Sequence, residues 1–142
     1  MVNNFRINLE YNFLKQHFRY ILIDRTSDET IIQDETLINI SDEIFCIILP
    51  FISSFGKIKN VLDNYCRNKN VKIILNQYTF EDDSKIEQIQ FLLGHEIFWK
   101  IPKNYTVSNS AQNQNVTLKE AGEGTNIVKA YTELARYIVS RD

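Results

Sequence analysis

Three apolar runs set the rhythm of the chain. Tyr20-Ile21-Leu22-Ile23-Asp24, Ile44-Phe45-Cys46-Ile47-Ile48-Leu49-Pro50 and Val71-Lys72-Ile73-Ile74-Leu75-Asn76 are short and rich in β-favouring residues. Runs of this kind without strict alternation read as strands buried on both faces, the signature of a parallel sheet. Each ends on a residue suited to a strand terminus: Asp24, Pro50 and Asn76. A fourth, shorter run, His95–Ile101, is stopped by Pro102. Proline cannot donate to a ladder, so it closes a strand.

Between these runs the apolar period changes to that of a helix. Ile7, Tyr11, Leu14 and Phe18 predict a helix over 4–17, with Asn3 or Asn4 as its cap. Ile52, Phe55, Ile58, Leu62 and Tyr65 form one stripe over 52–67. Ser84-Lys85-Ile86-Glu87 fits a capping box, which starts the next helix there, and Gly94 ends it. Residues 126–140 carry the clearest stripe: Ile127, Tyr131, Leu134, Ala135 and Ile138. Three segments are weaker. Residues 25–30 read as a polar loop, 30–39 as loop or a short helix, and 103–124 as mostly loop with a short helix near 107–112. Strand and helix alternate, which predicts a single α/β domain over 1–142. Its expected form is three-layered, with a mainly parallel four-stranded sheet between helices and right-handed crossovers.

Composition narrows the function. The chain has 142 residues, 44% of them apolar and 24% charged, with net charge −2. That balance builds a core and disfavours non-specific nucleic-acid binding, which needs a basic face. No stretch reaches the roughly 18 apolar residues of a membrane span, so membrane insertion is not expected. The start lacks the apolar core of a signal peptide, so the expected location is cytoplasmic. Cys46 and Cys66 form neither a disulfide framework nor a zinc pattern and read as buried thiols.

The chemistry-bearing residues lie at strand ends, where open α/β sheets bind ligands. Asp24 has two readings: a metal-water ligand beside a phosphate, or a cap for the loop that follows. Asn76 is either a nucleobase-edge partner, since its amide both donates and accepts, or a turn residue. His17 and His95 read as a helix end and a strand start. Asp28, Glu29, Asp82 and Asp83 read as carboxylates favoured near helix N-termini. Tyr131 and Tyr137 read as packing residues. The sequence contains no Gly-x-x-x-x-Gly-Lys-Ser/Thr motif, and its four glycines are Gly56, Gly94, Gly122 and Gly124. A phosphate cradle needs converging backbone N–H groups and hence glycines. Gly122-Glu123-Gly124 lacks an adjacent lysine and reads as a solvent loop.

The order of these pieces resembles the C-terminal half of the MinD/ParA-type ATPases. The likeness rests on Phe18–Asp24, Ile40–Pro50, Ile73–Asn76, Ile101-Pro102, Val107–Asn115 and Lys129–Ala135, and is greatest toward the CpaE/TadZ-like proteins of pilus assembly. The resemblance implies a partial P-loop NTPase-like fold. It aligns Asp24 with a Walker B-like aspartate near magnesium, and Asn76 with an adenine-contacting asparagine. The Pro102 region would border the base. It implies ATP or ADP with Mg2+ as weak ligands. This sequence departs from the family in lacking the P-loop and its lysine, in having Arg25-Thr26-Ser27 after the aspartate, and in placing Asn115 where glycine is common. The P-loop supplies most of the transition-state stabilisation in phosphoryl transfer. The resemblance therefore implies a piece or a degenerate relative that binds or localises without hydrolysing ATP on its own. It also implies a protein partner, or self-association, through an exposed sheet edge. The alternative from the residues is a doubly wound enzyme or a receiver-like signalling domain using Asp24. A receiver needs a tighter acidic cluster and a better-placed lysine than Lys100.

Overall fold

The computed structural model describes residues 4–24, 35–51 and 55–140, with side chains in the first helix from Glu10 onward. The chain divides into two compact units, Met1–Asp42 and Glu43–Asp142.

The first unit contains α1 (Asn4–His17) and α2 (Glu35–Ile40). The α1 helix has the predicted bounds. The Tyr11 hydroxyl donates to the Ile40 carbonyl at 2.9 Å, tying α1 to α2. The Ser41 hydroxyl donates back to the Leu37 carbonyl at 2.6 Å and closes α2. The expected strand at 19–24 is corrected here: Arg19–Asp24 joins no ladder among the described residues. Its composition favours a strand, but a strand exists only where a neighbour supplies hydrogen bonds. The polar loop at 25–30, with Asp28 and Glu29, lies outside the described residues.

The second unit is an α/β sandwich. Its strands are β1 (Ile44–Ile48), β2 (Val71–Tyr78) and β3 (Ile97–Pro102), in the order β1-β2-β3 and parallel throughout. The described sheet thus has three strands rather than four. Helix α3 (Phe55–Tyr65) connects β1 to β2, and α4 (Asp83–Leu93) connects β2 to β3. Both crossovers step the same way across the sheet. Right-handed connection puts both helices on one face, and α3 packs beside α4. Their buried residues are Phe55 and Leu62 on α3 and Ile89 and Leu93 on α4. The sheet residues of that face are the buried Ile48, Ile73 and Leu75.

Three further helices follow β3: α5 (Tyr105–Gln114), α6 (Leu118–Ala121) and α7 (Asn126–Val139). Helix α7 packs on β3. Ile127, Val128 and Leu134 of α7 join Val107 of α5 and the sheet residues Ile74 and Ile101 in one cluster, with Phe45, Phe98 and Trp99 against it. The β2–β3 register shifts between Ile73↔Ile97 and Ile74↔Trp99. That extra residue in β3 lets adjacent Phe98 and Trp99 both reach the helix face. The Trp99 indole N–H donates to the Ala130 carbonyl at 3.2 Å, pinning α7 to the strand.

Two local expectations need correction. Helix α4 begins at Asp83 and not through a Ser84–Glu87 box. The reciprocal hydrogen bonds belong to Thr79 and Asp82, which close a 3-10 turn at Phe80–Asp82. Residues 105–114 form a full helix, longer than the predicted 107–112. Its start is capped by Asn104, whose side-chain oxygen accepts from the Val107 N–H at 3.1 Å. Asn115 ends it in the left-handed conformation at φ 52°, a role asparagine takes more readily than most residues.

Gly122 marks the tightest point of this layer. A Cβ there would fall inside the van der Waals shell of both Val107 methyls. Gly122→Ala is therefore expected to destabilise the fold by roughly 1–3 kcal/mol through overpacking, read as a lowered urea midpoint with an unchanged m-value. A midpoint equal to that of the parent would contradict this packing.

Candidate functional site

The carboxyl end of β2 is where the sheet becomes irregular. Leu75 pairs with Lys100 and Tyr78 with Pro102, so three steps along β2 match two along β3. The extra residue falls in Asn76–Gln77. Gln77 stands at φ 57°, a left-handed conformation that costs an L-residue roughly 1–2 kcal/mol. The Asn76 side-chain oxygen accepts the Gln77 N–H at 2.9 Å and helps hold this turn. Bulges and left-handed non-glycine residues gather where a strand end is re-aimed toward a ligand.

Asn76 and Pro102 therefore stand on neighbouring strand ends, joined by the Tyr78↔Pro102 pair and by the Lys103 N–H donating to the Tyr78 carbonyl at 2.9 Å. Both are half-buried. With its oxygen engaged by Gln77, the Asn76 amide has its NH2 group to donate. That suits an acceptor on a base edge. The Pro102 ring offers an apolar surface beside it. Asp24 belongs to the other unit, in an exposed stretch outside any ladder. No group of three or more His, Cys, Asp or Glu placed to hold a metal occurs among the described residues. A strand-end aspartate is chemically suited to magnesium that arrives with a nucleotide, because Mg2+ keeps its waters and takes one or two carboxylates plus phosphate oxygens.

Beside this strand end lies a polar network that sequence reading did not assemble. The Asp82 carboxylate is only 5% exposed. It accepts the Thr79 N–H and hydroxyl, each at 2.9 Å, and Lys85 Nζ at 3.2 Å. Burial works against its charge, but these donors outweigh burial and hold its pKa below the usual carboxylate value. Asp83 pairs with Lys100 Nζ at 3.2 Å; the nearby Tyr78 hydroxyl and then this ammonium lower its pKa. The neighbouring Asp83 carboxylate in turn raises the Tyr78 pKa. The Lys100 ammonium sits 4.7 Å from the Tyr78 ring centroid. These contacts join β2, β3 and α4. The signal available in sequence was weak: Asp82-Asp83 after a strand end reads as any helix start.

The remaining candidates have structural partners. His17 Nδ1 donates to the Phe13 carbonyl at 2.8 Å, and its ring stacks on Phe13 at 4.3 Å. His95 lies in the bend before β3. Burial, and then the neighbouring Cys66, push the Cys46 thiol up to about 11. Burial raises Cys66 as well, against the pull of Lys69. Neither is a ready thiolate nucleophile. Tyr137 packs on Phe98 with ring centroids 4.7 Å apart. Tyr131 is partly exposed on α7.

Comparison with known proteins places the fold. A crystal structure of a ParA family ATPase from Chlorobium tepidum TLS superposes with a TM-score of 0.77 at 17% identity, covering 94% of this chain and 57% of that one. The MinD cell division protein of Aquifex aeolicus superposes with a TM-score of 0.78 at 18% identity, covering 99% of this chain and 62% of that one. The chain thus spans about three-fifths of the length of these neighbours. The fold is of the ParA/MinD type. No family model matches the sequence, and no curated protein matches it. No helix among the described residues is long and apolar enough to cross a membrane.

Asp82 yields a pH-dependent expectation. Its folded pKa is depressed, so its contribution is present above the unfolded value near 3.9 and fades as pH falls through the folded value. Asp82→Ala is expected to lose roughly 1–3 kcal/mol at pH 7. The gap from the parent should narrow in chemical denaturation as pH falls below the unfolded value. A gap of equal size at pH 7 and pH 2 would contradict an ionised role for this carboxylate.

Proposed function

We propose that this chain is a P-loop-less domain of MinD/ParA type that works as a binding or localisation module and does not hydrolyse ATP on its own. The observation that carries the reading is the meeting of Asn76 and Pro102 at adjacent strand ends, beside a bulge and a left-handed turn. An adenine nucleotide binds there weakly. The Asn76 NH2 donates to the base, and the Pro102 ring borders it. The resemblance to MinD/ParA-type ATPases gives Asp24 the part of an aspartate near magnesium. The ParA/MinD fold supports this choice of ligand class, and the absence of a Walker A motif from this sequence supports binding without turnover. The resemblance of the sequence to the CpaE/TadZ-like proteins supports a cytoplasmic role in pilus assembly. A protein partner or a second copy meets the domain through its open sheet edge.

Isothermal titration of ATP and ADP, with and without magnesium, tests the reading. Binding is expected in the range of ~0.1–1 mM, about 4–5.5 kcal/mol. Asn76→Ala should weaken it about tenfold, the worth of one base-edge hydrogen bond. Asp24→Asn should remove the magnesium dependence and spare ADP binding without metal. Equal affinity in parent and Asn76→Ala would overturn the assigned contact. No heat for either nucleotide at millimolar concentration would overturn the pocket.

A further inference from the structure

Helix α4 carries apolar residues on two faces. Ile89 and Leu93 are buried. On the other side Phe91 is 85% exposed, and Phe80, in the 3-10 turn that leads into the helix, is 88% exposed. No other large apolar residue among those described is as exposed as these two. Between them Ser84, Glu87 and Gln88 are exposed as well. Positions 80, 84, 87, 88 and 91 recur at helical spacing and form one outward stripe. From the rise of a 3-10 turn and of an α-helix, the two phenylalanines stand roughly 18 Å apart along it. A single exposed apolar residue needs no explanation. Two aromatic residues at the ends of one three-turn stripe are spaced as a pair of anchors, and aromatic anchors dominate the energetics of interfaces.

The charges along the stripe select what covers it. Asp82 is paired with Lys85, and Asp83 with Lys100. Glu81 and Glu87 have no ion-pair partner among the described residues, so the stripe is left acidic. A second copy packed on it about a two-fold axis would bring the two Glu87 side chains together near the centre, like charge against like. Anionic lipid and the phosphates of nucleic acid are repelled by the same carboxylates. A helix that carries lysine or arginine between its apolar residues answers both features of the stripe.

We propose that the Phe80–Phe91 stripe is the docking surface for a basic amphipathic helix of a partner protein. That helix lays apolar residues three turns apart against the two phenylalanines, and its cationic side chains against Glu81 and Glu87. The surface is separate from the sheet edge considered above, and its use does not depend on a bound nucleotide.

The probe is a synthetic Leu/Lys helix of about five turns, with leucines spaced to match the stripe. A Leu/Glu helix of the same pattern is its opposite. Titrated into the 15N-labelled full chain, the Leu/Lys helix should bind with a Kd of ~10–100 µM and shift the amides of residues 80–91 most. Its affinity should fall several-fold between ~0.05 and ~0.5 M salt. Phe80→Ser and Phe91→Ser should each weaken it at least about fivefold with the urea midpoint unchanged, because both rings lie in water in the free chain. Glu87→Lys should weaken the Leu/Lys helix and admit the Leu/Glu helix. No shift at millimolar Leu/Lys helix overturns the proposal. So do shifts that map elsewhere, and equal binding by the parent and both serine variants. Equal affinity of the parent for the two helices overturns the basic character of the partner. A parent that dimerises at ~100 µM and becomes monomeric on Phe91→Ser overturns it in favour of a second copy.

Discussion

The structure depends on one constraint: β2 is buried on both faces. Ile73, Ile74 and Leu75 are each no more than 2% exposed. Burying one such side chain contributes about 1.5–3 kcal/mol. Three in succession cannot be satisfied by a sheet with one wet face, so helices must cover both sides. Ile73 and Leu75 demand α3 and α4, and Ile74 demands the α5–α7 layer. The strand can lie in the middle only if β1 and β3 supply hydrogen bonds on its two edges, which they do in parallel. The layers, the crossovers and the place of the candidate site all follow from this one segment.

The same burial explains why chemistry collects where β2 ends. A strand leaving a closed sandwich must turn within a few residues, and its last polar groups need partners. Asn76 supplies one by accepting from Gln77. Thr79 and Asp82 supply others by closing the 3-10 turn that launches α4. The left-handed Gln77 is the cost of this exit, and its consequence is an amide donor beside Pro102. Lys100, Tyr78 and Asp83 then bind the exit to the next strand and helix. A site built this way is held by main-chain geometry and by carboxylates that stay ionised at neutral pH.

Much of this was legible in the sequence, for identifiable reasons. Strands β1 to β3 and helix α7 have apolar patterns that few other local structures satisfy as well. Asn76 and Pro102 were legible as strand ends, and a resemblance paired them. Residues 19–24 show the limit of such reading. An apolar run reports the wish to be buried, whereas a strand needs a partner edge, and no local pattern encodes one. Helix α5 was underestimated because only Val107 on it is buried, so its stripe is faint. The helix start near Ser84 was misplaced because a Ser-x-x-Glu spacing matched the capping pattern, while Thr79 and Asp82 form the real box. The Tyr78–Asp83–Lys100 network was hidden because its members meet only after three elements pack.

The central claim is that β2 is the protected middle of a parallel sheet covered on both faces. Amide hydrogen exchange on the 15N-labelled protein tests it directly. Ile73, Ile74 and Leu75 should exchange only through global unfolding. Amides in the exposed last turn of α5 should exchange orders of magnitude faster. Exchange of Ile73, Ile74 and Leu75 as fast as that of the helix end would contradict the account, because it would mean that β2 is not held between two strands.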